Sequence, residues 1–421
     1  MGISWTYRLQ RLTFSFWRRF PGWLKFSLRG FYRLWSRRFD QISKGTGAGR
    51  EAQAGLGGDT TAVVCFPIID WEMRIQRPQQ LLARLAAKGQ RVFYVRKDFK
   101  GGNELGRIPT AQGVVGIALP GRSDRNIYNG TAAPEDLTRW LAALAPLKQG
   151  EEGGRVVSFV QWPFWAGLAF AARERWGWKV VYDCLDEHSG FPAARPALLA
   201  LEQRLIRESD LVLTTSGALF DRCAPLARRC EMMANAADYH HFNRAPGNTA
   251  LRHLKGPIVG YYGALAEWFA PDLIEAAATA HPEWNFVLIG LNSGADLRRV
   301  GRLKNVHLLG ERSYAALPAY LHRFDVATIP FRVNDLTRAT DPIKFYEYLS
   351  AGKPVVAVDL PELRRHEGLY YRASSPDEFT RQIEAAMAER SPDLVAARMA
   401  LARANTWDDR AARLDDLIRQ L

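Results

Sequence analysis

Short apolar runs recur along the chain, each bounded by glycine, proline or charge, and helix-period segments separate them. In the first half they fall at residues 62–67, 91–95, 114–119, 156–160, 179–182 and 211–214, rich in β-branched and aromatic residues, and predict strands. A helix is expected before Lys88-Gly89 and another over 196–208. The second half repeats the scheme, with strands at 257–263, 285–290, 306–310, 326–330 and 354–358. Helices are expected from Pro271-Asp272, over 313–322, and from Pro342 to just before Gly352. Strand–helix alternation predicts a doubly wound α/β domain, here twice in tandem across a cleft. The last stretch puts Ala411, Leu414, Leu417, Ile418 and Leu421 at helical spacing.

The length of 421 residues suits two domains with separate cores. Four cysteines fit neither a disulfide framework nor a paired zinc motif, and read as reduced thiols. No apolar run is long enough to span a bilayer. Charge changes the picture more, because +9 of the formal +13 falls within residues 1–45. There, ten Lys/Arg interleave with twelve aromatics between Trp5 and Phe39. Such a basic, amphipathic arm, broken into two helical pieces at Pro21, favours an anionic membrane surface over packing on the catalytic domains or a partner-binding helix. Arginines interrupt its apolar stretches, against a signal peptide, and no nucleic-acid-binding module accompanies the charge. The predicted organisation is an arm at 1–44, a glycine-rich linker at 45–58, a first domain at 59–245, a second at 246–405, and a closing helix at 406–421.

The most informative stretch is residues 335–359. Pro342 suits the first position of a helix, and Asp341 before it can cap the free N–H groups. Lys344 and Glu347 then share one face within the first turn and a half. A lysine beside a helix N-terminus suits a phosphate, and a carboxylate one turn on can accept two hydroxyl hydrogens from a diol. Phosphate plus diol describes a nucleotide sugar. A surface ion pair is the plain alternative. In the first domain, Asp183 and Asp186 follow a strand end, where α/β domains place ligands, with His188 close behind. Each suits acceptor binding or general-base chemistry. The Asp-x-x-Asp spacing is not a metal motif, and His240-His241 lack a second ligand pair. A dinucleotide site is disfavoured, since no Gly-x-Gly-x-x-Gly occurs.

Residues 342–356 read Pro-x-Lys-x-x-Glu-Tyr-Leu-x-x-Gly-x-Pro-Val-Val. This block resembles the signature of the group 1 (family 4-like) glycosyltransferases of the GT-B fold, in their bacterial polysaccharide branch. Arg77-Pro78-Gln79-Gln80 and the 235–244 segment resemble that branch's cleft-facing opening and interdomain hinge. The resemblance implies two Rossmann-like domains facing across a cleft, with the last helix packing back on the first domain. It also implies metal- and cofactor-independent sugar transfer from a nucleotide-sugar donor to a glycan or lipid-linked acceptor. Combined with the arm, this places the protein at the cytoplasmic face of the plasma membrane, in cell-envelope polysaccharide synthesis. By resemblance Glu347 holds the ribose and Lys344 neutralises the departing diphosphate. By the same resemblance, backbone around Gly263, Gly290, Gly310 and Glu311 lines the donor and Arg77 and Gln79 face the cleft; by position alone Arg338 and Asp341 join the donor side and His188 the acceptor side. Two departures stand out. Ala339 replaces a glutamate of the usual pattern, and the loop at 264–269 lacks the usual cation, for which Arg338 or Arg312 could substitute. An inert glycan-binding scaffold or a nucleotide-sugar epimerase on the same fold are the alternatives.

Overall fold

The apolar runs of the first half assemble into β1 (Ala62–Phe66), β2 (Arg91–Val95), β3 (Gly106–Pro109), β4 (Val115–Ala118), β5 (Val156–Val160), β6 (Lys179–Cys184), β7 (Leu211–Thr214) and β8 (Cys230–Met232). The structure, a computed structural model, describes residues 61–421 except 102–104, 123–124, 129, 149–153, 192–193 and 248–249. The predicted arm and linker lie outside the described residues. The strand order is β3-β4-β2-β1-β5-β6-β7-β8, parallel throughout except for antiparallel β3 on β4. Five longer helices cover the sheet: α1 (Arg77–Ala87), α2 (Pro134–Leu144), α3 (Ala166–Trp176), α4 (Pro196–Glu208) and α5 (Gly217–Cys223). β1 shows why its run is apolar at every position. Ala62, Val64 and Phe66 enter the core under α2 to α5, while Val63 and Cys65 enter the opposite core under α1.

After the short helix α6 (Tyr239–Asn243) the second sheet begins. Its strands are β9 (Ile258–Tyr262), β10 (Asn285–Ile289), β11 (Val306–Gly310), β12 (Val326–Ile329), β13 (Val355–Val358) and β14 (Tyr371–Ala373). All are parallel, in the order β11-β10-β9-β12-β13-β14. Around them lie α7 (Pro271–Ala280), α8 (Leu317–Leu321), α9 (Asp335–Arg338), α10 (Ile343–Ser350), α11 (Pro361–Arg364), α12 (Pro376–Ala388) and α13 (Pro392–Arg403). This is the doubly wound order that reverses between its first and fourth strands, leaving a crevice at their C-terminal ends. Among the described residues, no helix is long and apolar enough to cross a membrane.

The chain crosses between domains twice, side by side. Ala237 and Thr406 pair in a short bridge, with Ala237 N–H donating to Asn405 O at 3.0 Å. Beyond it α14 (Trp407–Arg419) returns to the first domain and buries Trp407, Ala411, Leu414 and Ile418 against Leu81, Leu82 and Leu85 of α1. Trp407 is fully buried there. Trp407→Ala is expected to cost about 3–5 kcal/mol through the cavity it leaves. A lower urea midpoint with unchanged slope would register it.

Candidate active site

The cleft between the domains encloses about 990 Å³ and is floored by the ends of β9 and β10 and by the start of α10. Lys344 opens onto it, flanked by the rings of Phe331 at 4.8 Å and Tyr261 at 5.6 Å. Among the described residues its ammonium has neither a hydrogen bond nor a carboxylate within ion-pair distance, and burial lowers its pKa to about 8. Glu347, one turn on, is 8% exposed and has no ion pair among the described residues. Burial lifts its pKa to about 7, opposed by the nearby Tyr262 hydroxyl and the Lys344 charge. Buried beside Glu347, that hydroxyl has its own pKa shifted up by burial and by the Glu347 charge. The two charges are therefore neither on the surface nor paired. Burial outweighs what opposes it, the attraction between the two groups and the Tyr262 hydroxyl.

Glycines bring backbone up to these side chains. A Cβ on Gly290 would stand 1.8 Å from Gly263 O. One on Gly263 (φ +145°) would stand 2.9 Å from Lys344 Cε and 2.8 Å from the Tyr261 hydroxyl. Only glycine lets the lysine stem lie across the end of β9. α10 itself starts at Ile343 with extended Pro342 before it and no side-chain cap. Ile343 and Lys344 of its first turn line the cleft, and a helix N-terminus beside a lysine suits an anion.

This corrects the expected capping role of Asp341. Its carboxylate instead accepts from Asn235 N–H (2.8 Å) and the Tyr346 hydroxyl (3.0 Å), while Asn235 Nδ2 donates to its carbonyl (2.7 Å). Fully bonded in this way, Asp341 straps the hinge to α10, and its carboxylate is not free for a donor. Burial raises its pKa to about 6, against the pull of Arg365 and these bonds.

On the first domain, Arg77 and Asp183 form a buried ion pair, Nη2 to Oδ1 2.8 Å. Arg77 Nε also donates to Asp183 (3.1 Å) and Gln161 Nε2 joins at 3.0 Å. Arg77 Nη1 reaches Met233 O (3.0 Å) and Asn235 Oδ1 (3.3 Å). Both side chains are committed to holding β6, α1 and the hinge together, so Asp183 has no access to an acceptor. Gln79 Nε2 donates to the carbonyls of Asp70 and Trp71, both at 3.2 Å, which shapes the loop after β1. Asp186 differs. It lines the cleft, carries no hydrogen bond or ion pair among the described residues, and burial lifts its pKa to about 6, partly countered by His188. His188 itself is buried off the cleft, its Nδ1 3.2 Å from Glu202 and its ring edge-on to Trp162.

Residues 75–235 match the Glycosyl transferase 4-like domain, and residues 256–389 match Glycosyl transferases group 1. The chain belongs to the group 1 glycosyltransferases. It is 26% identical over 211 residues to TuaH of Bacillus subtilis (strain 168), which is named for teichuronic acid biosynthesis as a glycosyltransferase. That stretch is 46% of this chain and 53% of TuaH, so the chain spans about half the length of the curated relative it matches. Sucrose-phosphate synthase of Thermosynechococcus elongatus superposes with a TM-score of 0.68 at 16% identity, over 86% of this chain and 98% of that one. The Anabaena HepE protein in complex with UDP and glucose gives 0.64 at 15%, over 86% and 100%. At such identities the likeness is one of fold, and that fold is GT-B.

Within this group 1 glycosyltransferase fold, the remaining sequence-predicted residues divide. Gly263, Gly290, Glu311, Arg77, Gln79, Asp186, Asp341, Lys344 and Glu347 line one cleft. Gly310 stands just outside it, its carbonyl accepting from Gly290 N–H at 3.0 Å. Arg338 faces a second recess of about 460 Å³, with Glu187, Glu202 and Arg222. Ala339 is buried there in the first domain's core cluster. Arg338 therefore does not supply the missing cation. Arg312 reaches the cleft, but its guanidinium turns to the Tyr320 hydroxyl (3.0 Å) and the Glu311 carbonyl (3.0 Å). Sequence reasoning passed over Arg74, Trp268 and Tyr262, which the fold brings to the cleft wall. For Tyr262 a signal existed, since it immediately precedes Gly263 at a strand end.

Proposed function

We propose that this protein transfers a glycosyl group from a nucleotide sugar to a hydroxyl of a cell-envelope glycan. One observation carries the reading: a lysine without an ion pair among the described residues and, one turn on, a carboxylate lining the same cleft beside Tyr262, set against the glycine ends of β9 and β10. In transfer, the anomeric carbon–oxygen bond to the diphosphate breaks and its electron pair leaves with the diphosphate. The acceptor oxygen bonds to that carbon and gives up its proton. Lys344 opposes the charge gathering on the diphosphate, Glu347 accepts from the ribose diol, and Asp186 is placed to take the acceptor proton. The transfer proceeds without a metal ion, so EDTA leaves turnover unchanged. The acceptor is lipid-linked, and the basic, aromatic arm at 1–44 holds the enzyme on the anionic inner face of the plasma membrane; composition supports this part.

Thermal unfolding with UDP, GDP, dTDP and their sugars tests the donor site. The matching nucleotide at 100 times its dissociation constant adds about 2.7 kcal/mol of stability, and Glu347→Ala abolishes the shift. Acidity acts the same way. Below about pH 7 Glu347 holds a proton and accepts fewer hydroxyl hydrogens, so nucleotide affinity falls as pH drops through 7, by at most about tenfold per pH unit. No shift with any nucleotide, in the presence of lipid vesicles as well, would replace this reading with that of a non-transferring glycan-binding protein.

A further inference from the structure

Among the described residues, four cations line the cleft, and their partners differ. The Arg77 guanidinium is consumed by Asp183, Met233 and Asn235. Arg312 is turned to Tyr320. Lys344 has ring contacts but no hydrogen bond or ion pair among the described residues. Arg74 is intermediate. It reaches over from the first domain's loop between β1 and α1, and its Nε donates to Glu311 Oε1 at 2.8 Å, at the end of β11 on the second domain. Its two terminal nitrogens make no hydrogen bond among the described residues. Glu311 is 49% exposed, and a pair this open to water holds only weakly.

Arg74 lines the same cleft as Lys344. Its charge is the one that counters the burial-raised pKa of the Tyr261 hydroxyl. That hydroxyl and Lys344 Cε both fall within 2.9 Å of the place a Gly263 Cβ would take. The loop at 264–269, on the second domain, contributes Glu267 but no cation. Resting on the glycosyltransferase reading, we propose that Arg74 is the second cation of the donor diphosphate, delivered across the cleft by the first domain and held by Glu311 until the donor arrives. A guanidinium binds two phosphate oxygens in parallel, which a single carboxylate oxygen on Nε does not satisfy. Exchange of Glu311 for phosphate therefore leaves Arg74 better bonded. It also ties the first domain to a ligand seated on the second, so the diphosphate itself draws the cleft together. Glu311 on this view competes with the donor, and its removal helps binding.

Calorimetric titration of the full chain with UDP, GDP, dTDP and ADP, and with the matching monophosphates, separates these roles. For the diphosphate that binds, Arg74→Gln weakens affinity about tenfold or more, while the monophosphate changes by less than about twofold. Arg74→Lys keeps a charge without the fork and falls between. Glu311→Gln tightens the diphosphate severalfold, and the double variant Arg74→Gln/Glu311→Gln behaves as Arg74→Gln alone. Equal losses for mono- and diphosphate, no loss for either, or weaker binding by Glu311→Gln would each overturn the proposal. If wild type binds a diphosphate and Glu347→Ala abolishes that binding while Arg74→Gln is silent, only the Arg74 assignment falls. If wild type binds none, the donor-site reading falls with it.

Discussion

Lys344→Met is expected to lower kcat by about 10²–10³-fold, the loss typical when a group stabilising transition-state charge is removed. The ammonium lies between two aromatic rings with no carboxylate in ion-pair reach among the described residues. Its charge is thus available to a diphosphate whose negative charge grows as the anomeric bond breaks. Because the pKa is lowered from 10.5 to about 8 by burial, the free enzyme loses this charge above pH 8, and kcat/KM should fall there. The stability effect has the opposite sign. A lysine whose folded pKa is depressed contributes most above its unfolded pKa, and the folded state loses that advantage as pH falls through 8. At pH 7 the partly buried charge therefore destabilises the folded state. Lys344→Met should therefore melt higher than wild type at neutral pH while turning over far more slowly. Steady-state rates and melting curves on one preparation check both. Wild-type kcat in a well-folded Lys344→Met would remove the lysine from the chemistry.

That pairing of instability with chemistry was partly legible in the sequence. Strands such as β1 and β5 are apolar at successive positions because both faces are covered, and the run alone carries that information. α3 was missed because Ala166, Leu168, Ala169, Phe170 and Ala172 are buried around much of its circumference, which erases the helical stripe. β3, β8 and β14 are edge strands of three or four residues, too short to signal. α12 and α13 were passed over although each begins with a serine cap and a proline, Ser375-Pro376 and Ser391-Pro392. In the site, the i,i+3 spacing of Lys344 and Glu347 was enough to place both on one face. Arg74 was not legible as a site residue, because its partner Glu311 is 237 positions away and on the other domain. Nor was the spacing able to separate Asp183 from Asp186. The first still lies within β6 and meets Arg77, whereas the second lies past the strand end and meets the cleft.

Asp186→Asn is expected to reduce kcat/KM by about 10²–10⁴-fold, the range for loss of a positioned general base. Its carboxylate lines the cleft without a hydrogen bond or ion pair among the described residues, and burial holds its pKa near 6, high enough to take a proton yet ionised at neutral pH. As pH falls through 6 the base is protonated and activity drops, so the variant should lose that acid limb along with its rate. Nucleotide affinity should stay unchanged, since the donor is held by Lys344, Glu347 and Arg74 and not by Asp186. Asp183→Asn provides the contrast. It leaves Arg77 buried and short of its counter-charge, which costs about 3–5 kcal/mol, so its deficit should appear first in unfolding curves. A folded, inactive Asp186→Asn beside a destabilised Asp183→Asn assigns chemistry to one carboxylate and architecture to the other. If Asp186→Asn keeps its rate and its acid limb, the acceptor proton leaves by another route. Transfer would then depend on the charge stabilisation at Lys344, without a protein base.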